Sequence, residues 1–199
     1  MKKTRFFLLA ALLVAACNVS AQRKALEHNV YVSAGLFIDR NAGDTGNGLS
    51  VRLGYGLDIR LSQKLSVMPG IAVRGVIESP FESWDGADDD IFTFLDIPVI
   101  ARYHLDSGKG GWVFGLGPVL SFCVDNDTYY IDAGPDPLTD KTKIKPFDLG
   151  LQPSVAYKLG RFTLGVDARI GLLNVKRTHG LTTGTQHLHD LTATVAFRF

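Results

Sequence analysis

An all-β fold, an eight-stranded antiparallel up-and-down transmembrane β-barrel, is what three observations on this 199-residue chain predict. Apolar residues recur at every second position in eight separate segments, the period of a strand with two unlike faces. Beyond the N-terminal leader no stretch stays apolar over the roughly 20 positions a membrane-crossing helix needs. Mean hydropathy is nevertheless positive, at +0.11. The connections between the segments also alternate between short and long, as when tight turns crowd one end of a barrel and loops the other.

Residues 1–21 read as a secretory signal peptide. Lys2, Lys3 and Arg5 give a basic start, Phe6 to Cys17 an apolar run, and Val19-Ser20-Ala21 a small-x-small cleavage site. The run is about 12 residues, too short to span a bilayer as a helix. Val14-Ala15-Ala16-Cys17 also resembles a lipoprotein signal, with Cys17 as the acylated first residue. Both readings export the chain, and cleavage after Ala21 leaves residues 22–199 as one outer-membrane β-barrel domain. Cys123 then has no partner for an internal disulfide. A net charge of +1 offers no nucleic-acid surface.

The first apolar row is Val30, Val32, Ala34, Leu36 and Ile38. The second, in "LSVRLGYGLDIRL", is Leu49, Val51, Leu53, Tyr55, Leu57, Ile59 and Leu61. The third runs Leu65, Val67, Pro69, Ile71, Val73, and the fourth Thr93, Leu95, Ile97, Val99, Ala101, Tyr103. Trp112, Phe114, Leu116, Pro118, Leu120, Phe122 and Val124 form the fifth; Phe147, Leu149, Leu151, Pro153, Val155 and Tyr157 the sixth. The seventh is Phe162, Leu164, Val166, Ala168, Ile170, Leu172, and the eighth Leu191, Ala193, Val195, Phe197, Phe199. None of these rows contains a charged residue or histidine, in a chain that is 21% charged. Ser62–Lys64, Leu105–Gly111 and Lys158–Arg161 are the short connections. Asp39–Gly48, Val76–Asp90, Asp125–Lys145 and Val175–Leu188 are the long ones.

Three features turn the apolar rows outward, to lipid. The opposite rows are rich in glycine (Gly35, Gly54, Gly56, Gly70, Gly115, Gly117, Gly150, Gly165, Gly171), which suits the crowded interior of a barrel this small. Aromatics collect near strand ends: Tyr103, Trp112, Tyr157, Phe162, Phe197 and Phe199 by the short turns, and Phe92, Phe94 and Phe147 at the other end. Each row is also about the length a tilted strand needs to cross. Pro69, Pro98, Pro118 and Pro153 each remove a ladder donor and suggest local bulges. The chain stops in mid-strand at "LTATVAFRF", so the last strand is expected to close on the first and leave no edge in lipid.

That orientation sends Arg52, Asp58, Arg60, Arg74, Asp96, Arg102, His104, Asp148, Gln152, Lys158, Asp167, Arg169 and Arg198 into the lumen. An unpaired charge there is costly, so Arg52, Asp58, Arg60, Arg74, Asp96, Arg102, Asp148, Asp167, Arg169 and Arg198 are expected to form a structural ion-pair network. A gated conduit or proton path is the functional rival, and eight strands leave no porin-sized channel. For catalysis the sequence offers His179, His187, His189 and Asp190 around the last long connection, without a serine beside them. His187 and His189 share a side and are a conceivable metal pair. Asp85–Asp90 ("DGADDD") and Asp125, Asp127, Asp132, Asp136 and Asp140 offer oxygen ligands, but in no EF-hand spacing. These acids read as solvated loops, and no catalytic, metal or cofactor site is expected. Phe81, Trp84, Tyr129 and Tyr130 are candidates to anchor a protein partner. Cys123 faces inward as a small packing residue.

"FLDIPVIARYHL" at 94–105 and "GLGPVLSF" at 115–122 resemble the PorT-like outer-membrane β-barrel family of Bacteroidetes, whose members show an L-x-I-P-x-x-x-x-Y strand, a turn and a G-x-G-P strand. The resemblance implies architecture more than activity. One member takes part in type IX secretion, so an accessory role in a secretion apparatus is one alternative, and a lipid A-modifying barrel enzyme another. The terminal aromatics Phe197 and Phe199 resemble the signal read by the barrel-assembly machinery, although a glycine often found in that signal is missing, with Thr194 or a neighbour in its place. The expectation is a monomeric, non-enzymatic protein of the Gram-negative outer membrane with periplasmic termini. It sits in outer-membrane lipid and lipopolysaccharide, binds no nucleic acid, and acts structurally or through its extracellular loops.

Overall fold

The computed structural model describes residues 26–41, 44–78, 91–105, 110–124, 143–177 and 185–199. The strands are β1 (Leu26–Asn41), β2 (Asp44–Arg60), β3 (Leu65–Glu78), β4 (Ile91–His104), β5 (Gly110–Cys123), β6 (Lys143–Ile144), β7 (Phe147–Leu159), β8 (Phe162–Gly171), β9 (Lys176–Arg177) and β10 (Gln186–Arg198). Eight of them close antiparallel in the order β1-β10-β8-β7-β5-β4-β3-β2, while β6 and β9 form a separate two-stranded sheet. The final strand pairs with the first from Asn29↔Arg198 to Asn41↔Gln186. The Phe199 N–H donates to the His28 carbonyl at 3.1 Å, so pairing continues to the last residue. The barrel has no edge.

The period-two pattern fixes which wall each side chain joins, because a slip of one residue would turn every apolar row inward. Leu53 is 58% exposed and its neighbour Arg52 only 2%. The exposed rows form a continuous apolar outer wall, far larger than the patches a water-soluble monomer shows. The short turns have local causes. Ser62 Oγ accepts the Leu65 N–H at 3.0 Å, folding the chain back between β2 and β3. Between β7 and β8, Gly160 supplies the left-handed conformation (φ 62°) that a side chain would disfavour. In the lumen Gly54 leaves room for the Tyr31 ring, into which a Cβ would run.

Three expectations are corrected. The connection read as Asp39–Gly48 is not long, since β1 and β2 stay paired out to Asn41↔Asp44. The prolines make gaps rather than bulges. Pairs are skipped at Leu57–Asp58 opposite Met68–Pro69, Gly70–Ile71 opposite Ile97–Pro98, Val99–Ile100 opposite Gly117–Pro118, and Gln152–Pro153 opposite Ala168–Arg169. Pairing resumes in the same register beyond each gap, whereas a bulge would shift it by one residue. A missing donor thus costs a bond without adding a residue. Phe92 and Phe94, expected in an outer aromatic belt, are buried in the lumen instead. They alternate with the outward Thr93 and Leu95, and parity overrides hydrophobicity at that end of the strand.

The signal peptide with Cys17, the acidic runs Asp85–Asp90 and Asp125 to Asp140, Phe81, Trp84, Tyr129, Tyr130 and His179 lie outside the described residues.

Candidate functional site

The inward side chains fill the lumen in layers. At the short-turn end, Glu27 on β1 gathers cations from three other strands. Its Oε1 accepts Arg198 Nη1 at 2.7 Å, and its Oε2 lies 3.2 Å from Lys158 Nζ and 3.9 Å from Arg60 Nη2. Nearby, Arg102 Nη1 donates to Asp58 Oδ2 at 3.1 Å, and Ser66 Oγ meets His104 Nε2 at 2.9 Å. Glu27 ties β1 to β10 across the closing seam. Glu27→Gln should therefore lower the stability of the closed barrel by about 1 kcal/mol, the scale of a half-exposed ion pair, read as a lower urea midpoint. An unchanged midpoint would remove this clamp from the account.

Above it lies a cavity of about 50 Å³, lined by Tyr31, Met68, Ile100 and Ala196 with Gln152 and Asp167. The next layer is a buried ion network. Arg52 Nη1 donates to Asp167 Oδ2 at 2.9 Å and its Nε lies 3.9 Å from Asp96 Oδ2. Arg74 Nε donates to Asp96 Oδ2 at 2.9 Å, and its Nη1 lies 3.2 Å from Asp190 Oδ2. Arg169 Nη2 donates to Asp148 Oδ2 at 2.5 Å, with Asp190 Oδ2 3.8 Å from its Nη1. Hydroxyls complete the shells: Ser121 donates to Asp96 at 2.6 Å, while Thr192 and Thr194 donate to Asp167. Such bonds are what make charges tolerable in so dry a place.

An apolar cap closes the long-connection end. Phe37, Val76, Phe92, Phe94, Val175 and Leu188 are all buried together, and Cys123 packs against them. The Arg74 guanidinium sits 4.2 Å from the Phe94 ring centroid, so the cap and the network meet face to face. Beyond the cap Gln186 donates to Asp39, and its N–H donates to Asn174 Oδ1 at 3.0 Å.

All ten sequence-assigned network residues thus lie inside, each with an opposite charge within 4 Å. Three luminal carboxylates lie outside the expected network. Glu27 precedes the first apolar row, and Asp39 opens the expected Asp39–Gly48 connection. Asp190 stands next to His189 in sequence, but it points inward to Arg74 while His187 and His189 point outward. Parity counted back from Leu191 gives that separation. The two imidazoles stack at 6.4 Å between centroids on the outer wall, so among the described residues no histidine–aspartate cluster assembles there.

Aromatic contacts girdle the short-turn end. Trp112 packs edge-on to Tyr157 at 5.2 Å, Phe162 lies 5.3 Å from Phe197, and Phe199 stacks on His28 at 5.6 Å. His28 Nδ1 also meets the Tyr55 hydroxyl at 2.5 Å. The opposite end carries the Phe122–Phe147 pair at 5.3 Å.

Residues 9–199 match the outer membrane protein beta-barrel domain family. The chain belongs to that family. Among solved structures this outer-membrane barrel is similar to Neisserial surface protein A (NspA), at 16% identity and TM-score 0.53, over 86% of this chain and 97% of that one. It is also similar to the outer membrane enzyme PagL, at 10% identity and TM-score 0.50, over 85% and 98%. At such identities the likeness speaks for the fold. Comparison with curated proteins finds no match. As an outer-membrane barrel, the chain has lipid to cover its apolar wall, and its aromatic girdles fall where the two bilayer interfaces belong.

Proposed function

We propose that this outer-membrane barrel is a non-enzymatic protein whose lumen is a structural plug and whose contacts with partners are made by its long connections. One observation carries the reading. Among the described side chains inside the barrel, Arg52, Arg60, Arg74, Arg102, Lys158, Arg169 and Arg198 match Glu27, Asp39, Asp58, Asp96, Asp148, Asp167 and Asp190 in number, beneath an apolar cap. A conduit for ions would favour one sign of charge and a wetted path; a neutral, capped interior favours neither.

The orientation that goes with this reading puts both termini and the short turns in the periplasm and the long connections at the cell surface. Export by residues 1–21 and assembly from the periplasmic side, with Phe197 and Phe199 as the assembly signal, support it. The strand motifs in β4 and β5 make a PorT-like barrel of Bacteroidetes the finer family reading.

Planar-bilayer recordings of the refolded protein test the plug. No steady conductance of porin size is expected. Large, stable open steps would overturn it.

A further inference from the structure

Four interruptions of the barrel's ladder converge on one space inside it. Met68 belongs to the gap between β2 and β3, Pro98 to that between β3 and β4, Ile100 to that between β4 and β5, and Gln152 to that between β7 and β8. All four line the cavity of about 50 Å³ below the ion network. That volume is several times the about 10–15 Å³ one water needs, and well short of the roughly 150 Å³ that takes a benzene ring. Tyr31, Met68, Ile100, Ala156 and Ala196 give it a mostly apolar lining. Asp167, at its upper end, is already engaged by Arg52, Gln152, Thr192 and Thr194.

One side of this cavity is thinner than the rest. From β1, β3, β4 and β10 only inward residues line it, whereas from β7 and β8 the outward residues Val155 and Val166 line it too. The two are direct partners, both exposed on the outer wall. Beside them the inward pair is Ala156 and Gly165, which put almost no bulk behind the wall. On the other side the ladder stops: pairing passes from Ser154↔Asp167 straight to Leu151↔Ile170, where Pro153 has no N–H to donate. Val155 and Val166 stand near the middle of β7 and β8, the depth of acyl-chain ends whichever end of the barrel faces out. We infer that the β7–β8 seam admits the end of one lipid acyl chain from the bilayer into this cavity, where Tyr31, Met68, Ile100 and Ala196 receive it. A hydrocarbon end asks for no hydrogen bond from such a lining, and water does. Met68, unbranched and flexible, can swing aside as the chain enters.

The test uses the full chain in vesicles of phosphatidylcholine that carries a diazirine near the end of one acyl chain. After photolysis, peptide mass spectrometry should find adducts on Tyr31, Met68 or Ile100 as well as on the outer rows. The same lipid with its diazirine beside the head group should label no inward residue. Val155→Cys/Val166→Cys, in a Cys123→Ser background, staples the seam. Oxidation should abolish the inward adducts and spare those on Leu53 and Val73, and reduction should restore them. Ala156→Leu, which fills the space from β7, should lower the inward adducts as well. Heat-shifted gel mobility checks that it folds, and the reversible staple tests the site where it does not. Adducts confined to outward residues would overturn the site, and inward adducts that survive the staple would overturn the seam as the way in. Labelling of Tyr31 and Met68 by a water-soluble diazirine, and not by the lipid, would make the space a water pocket and overturn the acyl chain as its occupant.

Discussion

Arg74→Met should destabilise the barrel by about 3–5 kcal/mol, the usual cost of stranding buried charges by removing their partner. Arg74 is wholly buried, and it meets three groups at once: Asp96 at 2.9 Å, Asp190 at 3.2 Å and the face of Phe94. Methionine fills much of the same volume, so the loss is electrostatic rather than a cavity. Asp96 would keep Ser121 and a distant Arg52, and Asp190 only Arg169 at 3.8 Å. Urea unfolding of the vesicle-bound protein, followed by tryptophan fluorescence, reads the change. Arg74→Met/Asp190→Asn should recover part of it, because one stranded charge is neutralised. A cost below about 1 kcal/mol would mean that water reaches the network and screens it, and the plug would have to be redrawn as a hydrated passage.

The residues that set this prediction were legible for a reason. In a strand buried on one side, each position is committed to a wall, so the charged members of the inward rows had to meet inside a narrow tube. Parity gave Arg74 and Asp96 the same destination, and the barrel's closure brought them into contact. What escaped were features at strand ends, where alternation fades. Glu27 lies in "LEHNV", before any apolar repeat begins, so nothing marked it as part of β1. Asp190 stands beside two histidines where the alternation reverses its sense, with apolar Leu188 inside and His187 and His189 outside, so the apolar pattern does not show its parity. The apolar cap did leave a trace. Around Leu36-Phe37-Ile38, Val76-Ile77 and Ile91-Phe92 both faces of the chain turn apolar together, and these breaks in the period fall at one height, since Val76 pairs with Phe92 and Leu36 with Leu49 beside Ile77. Reading that level needs the register, which the sequence of a single strand does not contain. The prolines show the same limit. A lost N–H is a property of the residue, but whether the partner strand slips or merely skips a bond depends on the whole closed ladder.

Leu53→Arg should cost about 2–4 kcal/mol in lipid vesicles, the range for a cation placed on the outer wall near mid-bilayer. Leu53 is central in the outward row of β2, 58% exposed, and it pairs with Val32 and Val73, both outward and apolar. Its neighbour Arg52 carries the same charge one residue away and is held by Asp167 at 2.9 Å. A guanidinium at position 53 would have no carboxylate within reach, because the wall offers none. The register cannot slip to bring it inside, since one residue of slip would drive the whole row from Leu49 to Ile59 into the charged lumen. The cost must therefore be borne in place, by snorkelling or by thinning the bilayer. Lengthening the lipid chains should raise it and a thin-bilayer vesicle should lower it. This dependence separates a lipid-facing wall from a merely crowded one: a steric defect would not respond to bilayer thickness. Equal unfolding midpoints for Leu53→Arg and the parent in thick vesicles would mean that water touches this row, and the inward and outward faces would have to be exchanged.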